Sequence, residues 1–170
     1  MFNKGDTVMH PRHGAVLIED RVEQETSGER RVYLKLRPVR GNMMITLPLE
    51  SAEKVGLRGV VSKRNAAKVF DLLRQEQGSM PVLWSQRYKT NLMRLVSGDI
   101  YQVAELVRDL SLRAANGKGL SGAEKRMLAT AREGLLSELT FAVNTTEAKA
   151  EAMLDEALEG SRSGPAATAS

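Results

Sequence analysis

The first third of the chain is divided into short β-prone runs, of which residues 31–36 alternate polar and apolar side chains. Such alternation is typical of a half-buried strand, and the Gly, Pro and Asn clusters between the runs are typical of turns. The predicted strands cover 5–10, 15–18, 31–36 and 43–48, the last of them ending at Pro48, which cannot donate to a strand ladder. Short strands with close turns indicate a small barrel or a strongly bent sheet.

From about residue 63 onward the apolar positions follow the spacing of amphipathic helices. The predicted helices cover 65–75, 84–96, a segment from residue 100 to the loop at 116–119, a segment from 121 to about 142, and a last one from about 147 to 159. Three caps are predicted: Asp99, Ser121 with Glu124 as a capping box, and Asn144 with Glu147.

A run of strands followed by a run of helices predicts the α+β class with two domains. We place a β domain at residues 1–58 and a compact all-α domain at residues 59–160. Residues 161–170 are mostly small side chains with one Pro, a composition that favours a disordered tail.

The composition argues against an enzyme. The chain has 170 residues with no Cys and two His, which excludes disulfides and thiolate chemistry and leaves little for a metal site. His10 and His13 are interpreted as part of a strand-to-turn element, and the glycines form no phosphate-binding loop. We therefore expect no catalytic residue, no metal and no cofactor.

The sequence contains no apolar segment long enough to span a bilayer, and its start lacks the apolar stretch of a signal peptide. A cytoplasmic protein with no membrane partner is expected. No heptad seam indicates a coiled coil, and we expect a monomer.

The charge is unevenly distributed along the chain. The net charge is +4, too mild to identify a nucleic-acid binder. Residues 61–100 alone have seven basic and three acidic side chains, whereas the flanking parts carry +2 and −2 and cancel each other. Trp84, the single Trp, lies inside this basic stretch.

Two features of the helical part allow alternative interpretations. Trp84 is either a core residue, the usual fate of a large aromatic, or an apolar wedge beside the cations Arg87 and Lys89. Lys125 and Arg126, near a predicted helix start, are either a solvated pair or phosphate ligands.

In the strand part, the methionines Met43 and Met44 are core fillers or partner contacts.

Several blocks of the chain, in collinear order over about residues 1–158, resemble the CarD family (the CarD/CdnL group) of bacterial transcription regulators. The matching blocks include Lys4-Gly5-Asp6-Thr7-Val8, Trp84-Ser85-Gln86-Arg87-Tyr88-Lys89 and Gly119-Leu120-Ser121-Gly122-Ala123-Glu124-Lys125-Arg126. The resemblance implies an N-terminal Tudor-like small β-barrel domain that binds the β subunit of RNA polymerase, partly by strand-edge pairing. It also implies a helical domain that contacts promoter DNA without reading its sequence.

The resemblance further implies a mechanism, in which Trp84 wedges into the minor groove at the upstream edge of the melted bubble and stabilises the open promoter complex. Arg87, Lys89 and Lys125 match basic positions of the family, and we add Arg126 as a fourth phosphate ligand.

The polymerase-binding residues depart from the family pattern. Characterised relatives use arginines on the polymerase-facing strands, and Gln24 and Thr46 stand at those places here. We predict polymerase contacts at Gln24, Met44 and Thr46. The alternative function is a protein–protein adaptor that binds polymerase without touching DNA, with Trp84 in the core.

Overall fold

The structure, a computed structural model, describes residues 2–162, and these fall into two compact units, with the division of the chain between Val60 and Val61. The first unit contains the strands and the second contains the long helices, so the predicted α+β class with strands first is confirmed.

In residues 2–60, five strands form one antiparallel sheet in the order β4-β3-β2-β1-β5. The strands are β1 (Thr7–His10), β2 (Gly14–Thr26), β3 (Glu29–Pro38), β4 (Ile45–Pro48) and β5 (Arg58–Gly59). β2 and β3 are longer than the sequence pattern predicted and form one extended hairpin with a bulge between Ile18 and Asp20. A bulge bends a strand and increases its twist. Closure of this sheet into the predicted barrel stays a prediction.

The core of the first unit lies on one face of the sheet. A 3₁₀ turn (Leu49–Ser51) and the short helix α1 (Ala52–Val55) follow β4. α1 ends at Gly56, whose φ of 96° is left-handed and favours glycine. The buried apolar side chains of this core come from the strands, from α1, from the residue just before β5 and from the beginning of the described chain: Phe2, Val8, Val16, Ile18, Leu34, Leu36, Ala52 and Leu57.

In residues 61–162, five helices pack around a second core. They are α2 (Lys63–Leu73), α3 (Trp84–Val96), α4 (Ile100–Ala115), α5 (Gly122–Ala142) and α6 (Glu147–Arg162). The predicted bounds of α3 agree with the structure. The other four helices all contribute large apolar side chains that are almost completely buried, among them Val69, Leu73, Leu106, Leu110, Leu135, Leu139 and Leu154.

Two of the three predicted caps are present. The Asp99 carboxylate accepts from the Tyr101 amide, and Ser121 and Glu124 form the capping box of α5. The Asn144 cap is wrong, because Asn144 has a left-handed φ of 50° and its amide bonds to the Phe141 carbonyl at the end of α5. The hydroxyl of Thr146 caps α6 instead, accepting from the Lys149 amide at 3.3 Å.

The last helix also extends past its predicted end, because Ser161 and Arg162 continue α6. The remainder of the predicted tail, residues 163–170, lies outside the described residues. Among residues 2–162, no helix is both long enough and apolar enough for a membrane crossing.

Candidate functional site

Trp84 is the first residue of α3 and is 47% exposed. The two residues before it are more exposed still, Val82 at 94% and Leu83 at 61%. We call Val82, Leu83 and Trp84 the apolar tip. Three consecutive large apolar side chains at the surface are unusual unless something covers them. The interpretation of Trp84 as a fully buried core residue is therefore not supported.

The indole of Trp84 is held in place from two sides. Its Nε1 donates to the hydroxyl oxygen of Ser121, at the start of α5, over 3.1 Å. Its ring stacks on Tyr88, one turn further along α3, with 5.3 Å between ring centroids and 21° between planes. Tyr88 is half-buried and packs against the core of the helical unit, so the indole is connected to that core.

Arg87 is buried and paired with a carboxylate. It is only 5% exposed, and its guanidinium donates from Nε and Nη2 to the two carboxylate oxygens of Glu124, at 3.0 and 3.2 Å. Its Nη1 donates to the carbonyl of Val82 at 3.3 Å. Because a buried bidentate pair takes up Nε and Nη2, this arrangement does not favour direct phosphate binding by Arg87.

Glu124 is buried, and the pKa of its carboxyl group reflects opposing effects. Burial alone would raise the pKa, but the hydrogen bonds from Arg87 and from the Ser121 amide, together with the charge of Arg87, hold it below its usual value. The carboxylate is therefore ionised at neutral pH, and the pair with Arg87 is fully charged.

Lys125 and Arg126 follow Glu124 directly on α5, and both are exposed. Lys89 is exposed on α3. None of these three cations forms an ion pair within the described part of the chain. Because Trp84 contacts Ser121 at the start of α5, the structure brings Trp84 together with the helix end that carries Lys125 and Arg126.

The segment that leads into the apolar tip is fixed by a buried carboxylate. Asp109 on α4 is fully buried and accepts from the Gly78 amide at 3.0 Å. The same carboxylate accepts from Arg94 on α3 at 3.0 Å and from Arg108 at 2.9 Å. A side chain at Gly78 would meet Arg108 Nη2 at 3.0 Å, which explains why a glycine fits there.

The residues predicted to bind polymerase lie apart on the sheet. Thr46 is exposed on β4, which has β3 as its one neighbour in the described sheet. Thr46 pairs with Lys35 of β3, which pairs in turn with Asp20 of β2. Gln24 is exposed four residues further along β2, about 13 Å along the strand direction. The structure therefore does not bring Gln24 and Thr46 together.

Met44 precedes β4 and is exposed, as is Met43, so neither methionine fills the core. Together with Val39 they line a surface cleft whose polar wall includes the ion pair between Arg37 and Glu19. Met44 thus lies two residues from Thr46 and belongs to the same end of the sheet.

His10 and His13 lie where the sequence places them, at the end of β1 and in the turn before β2, with ring centroids 4.7 Å apart. His10 is buried, and its Nδ1 accepts from the Arg12 amide. Among residues 2–162, no three His, Asp or Glu side chains are grouped as metal ligands.

Sequence reasoning missed three contacts of Trp84's surroundings: the bond to Ser121, the pair of Arg87 with Glu124, and the stacking on Tyr88. One signal was available, because the capping box at Ser121 and Glu124 was recognised. What the sequence does not contain is the crossing of α3 over the start of α5, which makes Arg87 the partner of Glu124.

Two family models match this chain, one in each of its two units. Residues 2–61 match the family model of the CarD-like/TRCF RID domain, and residues 68–155 match the model of the CarD C-terminal domain. A protein of Bacillus subtilis (strain 168), YdeB, named as a candidate transcription factor, is 33% identical over 147 residues. That match covers 86% of this chain and 95% of the relative.

Replacing Arg87 by Met should destabilise the helical unit by about 3–5 kcal/mol, because the buried carboxylate of Glu124 loses its counter-charge. The free energy of unfolding is measured in urea by circular dichroism at 222 nm, which follows the helices.

Two further variants test the cause. Adding Glu124→Gln to Arg87→Met removes the orphaned charge and should restore part of the loss, whereas Arg126→Met, an exposed neighbour, should change stability by less than about 0.5 kcal/mol. Equal stability of Arg87→Met and the unmodified protein would contradict the buried pair.

Proposed function

Because this chain belongs to the CarD family of RNA polymerase-interacting transcription factors, we propose that it stabilises the open promoter complex. In this proposal the β unit binds the β subunit of polymerase, and the helical unit places Trp84 in the minor groove at the upstream edge of the melted bubble. The protein works in the cytoplasm, where polymerase and promoters are, and catalyses no reaction.

The observation that carries the proposal is the apolar tip. Val82, Leu83 and Trp84 are three consecutive exposed apolar side chains that lead into the first turn of α3. Proteins that kink or part a duplex from the minor groove insert apolar side chains of this kind between base steps. A half-exposed indole supported on Tyr88 is suited to stack on a base step that has lost its neighbour.

Binding of this kind changes an equilibrium and not a reaction path. Unstacking a base step costs a few kcal/mol, and a wedge that stacks only on the parted duplex offsets part of that cost. A ligand that binds the open state better than the closed state increases the open population by its differential affinity. Tethering to polymerase would keep the wedge at the bubble although its own affinity for DNA is low.

The phosphate ligands in this proposal are Lys125, Arg126 and Lys89, with Arg87 removed from the set. Lys125 and Arg126 lie in the first two turns of α5, where the helix dipole disfavours positive charge. A bound phosphate would offset that cost and would also accept from free amides at the helix end. Such contacts position the protein without reading base sequence.

Polymerase binding is assigned to the end of the sheet that contains Thr46 and Met44. An edge strand has unpaired backbone groups to which a partner strand can add, and β4 is at the edge of the sheet. Exposed methionines beside it provide adaptable apolar contacts. Gln24, on the far part of the β2–β3 hairpin, would contact a second part of the same partner.

Replacing Trp84 by Ala should shorten the lifetime of open complexes by about tenfold, the equivalent of about 1.4 kcal/mol of lost stacking. Affinity for polymerase and the melting temperature should change little, because the side chain is half-exposed and lies in the other unit from β4. Lifetimes are measured with polymerase holoenzyme on promoter DNA after addition of a competitor.

Trp84→Phe is the matched control, since it keeps an apolar ring and should retain part of the lifetime. An unchanged lifetime in Trp84→Ala, with polymerase binding intact, would overturn the wedge and favour the adaptor function. A large loss of thermal stability would indicate a core role for Trp84.

Replacing Lys125 by Ala should weaken DNA binding and reduce the slope of log affinity against log salt concentration by about one unit, as expected for one lost phosphate contact. The measurement is a salt titration of duplex binding by the unattached protein, whose affinity should be weak. Lys149→Ala, an exposed cation on α6, is the control and should leave the slope unchanged. A slope that Lys125→Ala does not change would contradict the phosphate contact.

Replacing Thr46 by Arg, the residue type that relatives use there, should tighten polymerase binding by up to about fivefold, and Thr46→Glu should weaken it by a similar factor. The affinity is measured by pull-down or titration with the polymerase β subunit. Thr46→Gln gives a neutral reference of similar size. Equal affinity of the Arg and Glu variants would remove Thr46 from the interface.

A further inference from the structure

The hydrogen bonds around Trp84 form a closed circuit between two helices. Trp84 Nε1 donates to Ser121 Oγ, and the same oxygen accepts from the amide of Glu124 at 3.1 Å. The Glu124 carboxylate accepts from Arg87, which lies three residues after Trp84 on α3. The Ser121 amide donates back to Glu124 at 3.3 Å. Every member is therefore fixed by another member.

We propose that Ser121, Glu124 and Arg87 are positioning residues that fix the orientation of the Trp84 indole before DNA binds. We call these three the support residues. This inference rests on the proposed wedge function and adds how the indole is oriented before binding. Arg87 and Glu124 hold the start of α5 against α3. Ser121, at that start, accepts the hydrogen bond that fixes the orientation of the indole.

The exposure of Trp84 argues that its bond to Ser121 is for orientation. A buried indole N–H needs a protein partner, but water could satisfy an N–H on a half-exposed ring. The bond to Ser121 is therefore not required to satisfy the donor. The bond restricts rotation of the indole through its N–H group. Stacking on Tyr88 restricts the same ring through its face.

A fixed indole binds better than a free one. A side chain that must be ordered on binding loses rotamer freedom at that moment, and preorganisation removes this cost from the binding step. The ordering is then a part of folding, where the buried pair of Arg87 and Glu124 stabilises it. A flexible indole in the same place should therefore hold the bubble open less well.

The test uses the fact that Trp84 is the chain's single Trp, so intrinsic fluorescence reports on this ring alone. Ser121→Gly removes the acceptor of the indole N–H, whereas glycine remains tolerated at a helix N-cap. In the full chain without DNA, the fluorescence anisotropy should fall and quenching by acrylamide should rise. With polymerase and promoter, the open-complex lifetime should fall by about threefold to tenfold, the range expected for one lost hydrogen bond.

Two control variants separate orientation from helix capping. Ser121→Thr keeps the hydroxyl oxygen and should restore both the fluorescence and the lifetime. Ser62→Gly removes an equivalent cap from α2, where the hydroxyl accepts from the Asn65 amide at 3.1 Å, without touching Trp84. It should produce the stability change of a lost cap and leave the indole fluorescence and the open-complex lifetime unchanged.

The outcomes distinguish this inference from the wedge function. If Trp84→Ala shortens the lifetime but Ser121→Gly changes neither the fluorescence nor the lifetime, the support residues do not position the indole and the wedge function stands. If Ser121→Gly frees the indole and the lifetime is unchanged while Trp84→Ala still shortens it, orientation is irrelevant and the inference is wrong. If Trp84→Ala itself has no effect, the wedge function fails.

Discussion

Arg87 and Glu124 join the first turn of α3 to the first turn of α5, and the surroundings of Trp84 depend on that pairing. A buried pair of opposite charges is a demanding contact, because each partner is costly without the other. Here the geometry is bidentate, and the remaining hydrogen bonds of the carboxylate go to the cap of the same helix. Two helix ends are thus held in one arrangement, and the apolar tip projects from it.

The cations of this region have two different tasks, and burial decides between them. Arg87, Arg94 and Arg108 use their guanidinium groups inside the helical unit, on the carboxylates of Glu124 and Asp109. Lys89, Lys125 and Arg126 stay exposed and without an ion pair in the described part of the chain. The planar fork of arginine suits the first task, since it can satisfy a carboxylate with two parallel bonds. Some basic residues of this region are therefore internal ion-pair partners, and others are surface charges.

The β unit makes a different use of its polar groups. In the proposed function its recognition surface is a sheet edge, where backbone groups provide affinity and the neighbouring side chains provide selectivity. Under that proposal, the departure from arginine at Gln24 and Thr46 should affect selectivity more than backbone pairing. The two positions lie on different parts of the sheet, so under that proposal their contributions to polymerase binding should add independently.

The sequence by itself determined the order of strands before helices, the bounds of α3 and the caps at Asp99 and Ser121, because these depend on neighbours within a few residues. It also marked Trp84 and the exposed cations of α5 as candidates. It could not determine which cations are free. That Arg87 is buried, and that Ser121 holds the indole, follows from how α3 meets α5, a contact between residues 37 positions apart. Only tertiary packing brings such distant residues together, and the spacing of apolar residues along the sequence does not show which helices will pack at these positions.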